Sequence, residues 1–163
     1  MILGMSLSTF TTLHVIISLI GIVTGLVVLL GMLGGRQFGS LTAIFLATTV
    51  LTSATGFLFP FNKLLPSHVV GIISLAVLAI ALLALYGLHL AGAWRWIYVA
   101  AAVLALYLNV FVGVVQAFQK LAFLQPFAPT QTEAPFIVAQ VVVVAIFVVL
   151  GFLAVKRFHP QIA

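Results

Sequence analysis

Histidines and side-chain amides are the groups with most to offer a ligand in this 163-residue chain, because cysteine is absent and Glu133 is its only acid. Paired carboxylates for acid–base work need two acids, and a serine–histidine–acid set needs an acid held against a histidine. A lone Glu133 in a connecting segment provides neither, so hydrolysis and phosphoryl transfer fit poorly. Imidazole suits a different chemistry. Haem b takes axial histidines from facing helices at similar depth, and copper accepts imidazole nitrogen but wants more ligands than two histidines. Histidine with glutamine can also hydrogen-bond a quinone head group.

His14 and His68 are the candidate pair for a metal or a haem iron, and Gln116, Gln140, Asn109, Thr52 and Thr55 complete the candidate cofactor-binding set. At about 1.5 Å per residue, His89 lies roughly 30 Å along the chain from His68 and belongs to the opposite end of any helix that carries both. It and His159, which follows Lys156, Arg157 and Phe158, read as neutral hydrogen-bond partners near a membrane boundary.

These residues need helices to position them. The chain is 65% hydrophobic and 4% charged, against about 25% charged in a soluble domain. Thr9 to Leu30 contains no Asp, Glu, Lys or Arg, which is the length a helix needs to cross a hydrocarbon core about 30 Å thick. Four similar stretches follow. The expected fold is an all-α integral membrane protein of five transmembrane helices in a single domain, with spans near 8–33, 38–59, 67–90, 94–118 and 135–155. Short loops rich in Gly and Pro separate them, and no soluble domain is left over. Ser67 is the expected N-cap of the third helix.

The formal charge of +5 is spread over the loops and forms no basic patch, so nucleic acid is not an expected partner. Arg36, Arg95, Lys156 and Arg157 would share one face of the membrane, and Lys63, Lys120 and Glu133 the other. Four cations against two put the first face in the cytoplasm, with the N-terminus outside and the C-terminus cytoplasmic, in a plasma (bacterial inner) membrane. The N-terminal MILGMSLS has no basic region or small-residue cleavage site, so a cleaved signal peptide is not expected. Trp94, Trp96 and Tyr98 fit an interfacial anchor.

Polar positions within the spans indicate which faces meet protein. Ser18, Gly21 and Gly25 share the His14 side of the first helix. Gly21 and Gly25 form a GxxxG match that serves close packing within the chain or against a second copy. The second helix carries one hydroxyl stripe at Thr42, Thr49 and Ser53 and another at Thr48, Thr52 and Thr55. In the fourth, Tyr98, Asn109 and Gln116 fall within about 20° of one another. With the expected topology, His14, Ser53, Thr55, His68, Gln116 and Gln140 converge from five helices on the outer third of the membrane.

This cluster suggests a redox-associated subunit binding haem b, a quinone or a metal. A channel or facilitator for a small neutral solute is the second reading, although the polarity is concentrated in one half. The third is a non-catalytic accessory or assembly subunit of a larger membrane complex, or a homo-oligomer, with the lipid bilayer as the remaining partner. The segment from 120 to 133, with Pro126, Pro129, Phe123 and Phe127, is either a lid over the cluster or an interfacial connector.

Overall fold

The computed structural model describes residues 1–160, and these are all-helical. The elements are α1 (Leu7–Leu33), α2 (Gly39–Gly56), α3 (Pro66–Leu82), α4 (Trp94–Lys120) and α5 (Ala134–Arg157). A π-helical turn at Leu83–Gly87 continues α3. With that turn included, all five are long and apolar enough to cross a membrane. Successive helices run antiparallel. Along α1 and α2 this is seen in Phe10 against Phe59 at one end and Gly31 beside Phe38 at the other.

Each helix ends for a local reason. The Ser6 hydroxyl accepts from the Thr9 N–H and caps α1. At its far end Gly35 takes φ 69°, while Arg36 N–H returns to the Gly31 carbonyl and Gly35 N–H to that of Met32. That is the paired closure a left-handed glycine permits. The second helix stops at Gly56, three residues short of the expected Phe59. The third starts at Pro66 with Leu65 as its N-cap, two residues earlier than a Ser67 cap would give. Proline has no N–H to satisfy and suits the first helical position. His68 Nδ1 then accepts the Leu65 N–H at 3.0 Å.

The fourth helix is the hub, packing against each of the other four. Its buried residues recur at Tyr98, Ala101 and Ala102, Ala105 and Leu106, and Asn109, the three-and-four spacing of a helix face. The small alanines let neighbours approach closely. Phe45 and Leu46 of α2, Leu78 and Ala81 of α3, and Val28 and Met32 of α1 fill the space around them. The fifth helix lies on the outside of α4 and α1 and exposes Val138, Val141, Val142, Val148, Val149 and Phe152. Arg95 holds its end: Nη1 donates to the Val155 carbonyl at 3.0 Å and the Phe158 carbonyl at 2.7 Å. Those are carbonyls at the C-terminus of a helix, where no intrahelical donor remains. In the segment before α5, Glu133 accepts from the Thr130 hydroxyl and from the N–H groups of Thr130 and Thr132. The Thr130 hydroxyl foremost holds this carboxyl below the usual carboxylate range.

Gly21 and Gly25 are buried inside the chain, so the GxxxG face is spent on internal packing. A Cβ on Gly25 would sit 2.6 Å from Leu106 and 2.8 Å from the Phe45 ring, whereas one on Gly39 would meet nothing within 4 Å. Gly25→Ala is therefore expected to destabilise the protein by about 1–3 kcal/mol through overpacking, and Gly39→Ala to leave its thermal unfolding in detergent nearly unchanged. Equal melting temperatures for the two variants would refute this account of the α1–α2–α4 contact.

Candidate functional site: a polar cavity between α1 and α4

Following the polar residues inward leads to one cavity of about 90 Å³. His14 of α1, Thr52, Ser53 and Gly56 of α2, Ser67, Gly71 and Ser74 of α3, and Asn109 of α4 supply most of its wall. Leu108 and Val112 line one side. The space holds a few waters at roughly 30 Å³ each and is well below the roughly 300 Å³ at which pockets for larger ligands begin.

Hydrogen bonds across the helices fix this wall. His14 Nδ1 lies 2.8 Å from Thr55 Oγ1, Ser18 donates to Asn109 Oδ1 at 3.1 Å, and Ser53 donates to Ser74 at 3.0 Å. The edge of Phe59 packs on the His14 ring with centroids 5.1 Å apart. On α2 the threonines spend their protons on their own helix. Thr48 donates to Ile44, Thr49 to Phe45, Thr52 to Thr48 and Thr55 to Leu51, all at 2.6–2.8 Å. Hydroxyls in an apolar helix commonly bond the carbonyl four residues back. Here it turns the Oγ atoms into acceptors.

Two consequences follow for the histidines. Because the Thr55 proton is committed to Leu51, the short contact to His14 must be Nδ1–H donating, and the neutral His14 ring keeps its lone pair on Nε2. Since His68 Nδ1 accepts a backbone N–H, its proton sits on Nε2 and it has no free lone pair. His68 is also packed between Phe57 and Phe61, at centroid distances of 5.6 and 4.2 Å, and is not among the residues lining the cavity. A metal-binding histidine usually donates its second N–H to a fixed partner. The hydrogen bonding of His14 has that form, whereas His68 Nδ1 is taken by the Leu65 N–H. Among the described residues no group of three or more His, Cys, Asp or Glu could hold a metal ion.

Asn109 is 8% exposed and its Nδ2 has no hydrogen-bond partner. The nitrogen lies beside Gly21, 3.2 Å from where a Cβ would be, next to Thr48 and Thr49 Oγ1. Those oxygens present lone pairs, which supports the assignment of nitrogen to this side of the amide. The nitrogen is shielded from solvent and faces this side of the α1–α2–α4 contact, whose residues Gly21, Thr48 and Thr49 do not line the cavity.

Compared with family models, curated proteins and solved structures, the chain finds no match. The chemistry of the cavity therefore carries the functional reading.

The cavity brings together His14, Thr52 and Asn109, with Thr55 behind His14. Gln140 is elsewhere, between α4 and α5: its Nε2 donates to the Phe111 carbonyl at 3.2 Å, while its buried Oε1 has no partner. Gln116 is exposed although it shares the wheel position of Asn109, and His89 and His159 are exposed as well. No residue of the segment 121–133 lines the cavity, and its short 3-10 turn at Gln125–Phe127 leaves Phe123 and Phe127 outside. The candidate set omitted Ser74, Gly56 and Gly71. Ser74 is the one hydroxyl within an otherwise apolar stretch of α3, which was a usable signal. Gly71 makes room for Phe57, whose ring is 3.1 Å from the position of a Cβ there.

If Ser18 and Asn109 form the bond across α1 and α4, Ser18→Ala and Asn109→Leu should be non-additive. A double-mutant cycle on unfolding in detergent is expected to give a coupling of about 0.5–1.5 kcal/mol. Strict additivity would show that the contact contributes nothing.

Proposed function

We propose that the chain is an integral membrane protein in which α1–α4 hold a small binding chamber for a neutral, hydrogen-bonding head group. A quinone-type ring is the redox-active ligand of that class, and a chamber of about 90 Å³ would take one polar edge of it. The observation that carries this reading is the cavity itself, walled by His14, Thr52, Ser53, Ser67, Ser74 and Asn109 from four helices. A ligand without charge suits a chamber that no charged side chain lines. Arg36, Arg95, Lys156 and Arg157 at one end of the bundle, against Lys63 and Lys120 at the other, favour an orientation with the N-terminus outside. The chamber then lies in the outer half of the plasma membrane, where a lipid-borne ring can approach from the side. The protein would act as a redox-associated subunit without a hydrolytic or transferase step of its own.

Passage of a solute is less well supported. Beyond Asn109 the space between the helices is filled by Phe45, Leu46, Leu78 and Leu106, each about 1% exposed, and a path must be wetted from end to end. An accessory role within a larger complex draws support from the apolar outer face of α5, which lipid covers equally well.

The test is the organic extract of protein purified in mild detergent, analysed by mass spectrometry. The expected result is a quinone-type lipid retained by the natural chain and lost from Asn109→Leu. A clean extract together with no binding of an added short-chain quinone or quinol would overturn the reading, and a Soret band in the dithionite-reduced protein would replace it with haem. Orientation is checked separately with cysteines introduced at Gly35 and Thr130. Membrane-impermeant reagent added outside intact cells should label only the second, and labelling of Gly35→Cys instead would reverse the topology.

A further inference from the structure

At the end of the bundle away from the chamber, three arginines from separate parts of the chain gather around the C-terminus of α5. A Cβ on Gly35 would lie 3.4 Å from the Arg157 carbonyl, so the turn that carries Arg36 rests on the last residue of α5. Arg95, in the first turn of α4, reaches the same place and bonds the Val155 and Phe158 carbonyls. Both bonds come from Nη1. A guanidinium holds five N–H groups in a rigid plane, so Nε–H and the two Nη2 hydrogens remain without a partner among the described residues, and neither nitrogen is buried. Arg36 and Arg157 are exposed beside it. No acidic side chain can neutralise the group, because Glu133 is the only acid and precedes α5, a helix whose length at 1.5 Å per residue is about 36 Å. The topology rule asks only that cations lie on one side of the membrane; packing brings these to one point.

We infer that this end of the bundle binds the phosphodiester head group of an anionic phospholipid, with Arg95 as its fixed contact and Arg36 and Arg157 as flanking cations. A guanidinium already held by two carbonyls has given up its rotamer freedom before the ligand arrives, and its free edge presents the parallel N–H pair that phosphate oxygens accept. The flanking arginines supply charge. A lipid suits the site better than a soluble phosphate because apolar surface continues from it along α5. Lys156 lies over the Phe152 ring at 4.4 Å, and Phe152, Val149 and Val148 are 57–66% exposed. Acyl chains can lie on that face while the head group stays level with the arginines, as anionic lipids do at basic sites between transmembrane helices.

Trp94 and Trp96 flank Arg95 and are the chain's two tryptophans, so their fluorescence reports on this site. The full chain is reconstituted in phosphatidylcholine bilayers, into which dibrominated phosphatidylglycerol or dibrominated phosphatidylcholine is titrated; bromine quenches tryptophan at contact. Half-maximal quenching should come at about a tenfold lower fraction of the phosphatidylglycerol, the scale of a few screened surface cations. Arg36→Gln and Arg157→Gln should each narrow that preference about threefold, and the double variant should nearly remove it. Arg36→Lys should keep what Arg36→Gln loses, whereas equal loss in both would mark a packing effect and count against the site. Lys63→Gln, at the opposite end of the bundle, should change nothing. Millimolar inorganic phosphate at constant ionic strength should leave the quenching as it is, and release of the brominated phosphatidylglycerol would identify a soluble-anion site instead of a lipid one. Equal quenching by the two lipids would overturn the inference, as would a preference that survives in the double variant.

Discussion

Every polar hydrogen buried in an apolar bundle has to end on an acceptor, and in this protein that constraint decides more than the hydrophobic effect does. Apolar side chains are abundant on all five helices and do not by themselves select one arrangement. The hydroxyls and amides are few and cannot be placed at random. The threonines of α2 settle the matter locally by donating to the preceding turn, so the helix is self-sufficient and its Oγ lone pairs become a resource for its neighbours. His14 uses one of them. Ser18 and Asn109 tie α1 to α4, and Ser53 and Ser74 tie α2 to α3. The helices that line the cavity are thus the helices joined by hydrogen bonds between one side chain and another.

Close approach between backbones makes those bonds reachable. Gly21 lets Thr48, Thr49 and Asn109 come within about a hydrogen-bond length of the α1 backbone, and one turn on Gly25 admits Phe45 and Leu106. The two glycines do different things. The first faces polar groups and borders the amide that lacks a partner; the second faces the ring and branched chain that close the bundle below it. The boundary between polar and apolar neighbours of α1 therefore falls within a single turn, between Gly21 and Gly25.

The five helices were legible in the sequence because a span of about 20 apolar residues between Gly- and Pro-rich breaks has few alternative readings. The side of each helix that meets protein was legible too: the wheel placed His14 with Ser18, Gly21 and Gly25, and those residues do face α2 and α4. What periodicity does not carry is the use made of a side chain once its depth is right. His68 has a suitable depth, but at the third position of α3 its ring nitrogen is claimed by the Leu65 N–H. Proline at the next position leaves that part of the chain without an ordinary capping side chain, so the histidine fills the role. Gln116 shares an angle with Asn109, yet the buried face of α4 narrows after Asn109 and the amide is left outside. Gln140 reaches the Phe111 carbonyl across the α4–α5 contact, away from the cavity.

The position of α5 bears on how the rest is organised. It contributes Phe147 and Ala154 to the core and receives Arg95 at its end, but none of its residues lines the cavity. A chamber built by α1–α4 alone does not require the fifth helix for its chemistry. That helix braces the outer side of α4, where Tyr107 packs on Phe147 and Phe118 on Phe136. It therefore packs along the side of α4 opposite the cavity-lining Leu108, Asn109 and Val112, without touching the cavity itself. The division of labour is between four helices that line the cavity and a fifth that packs on α4 and α1 from outside.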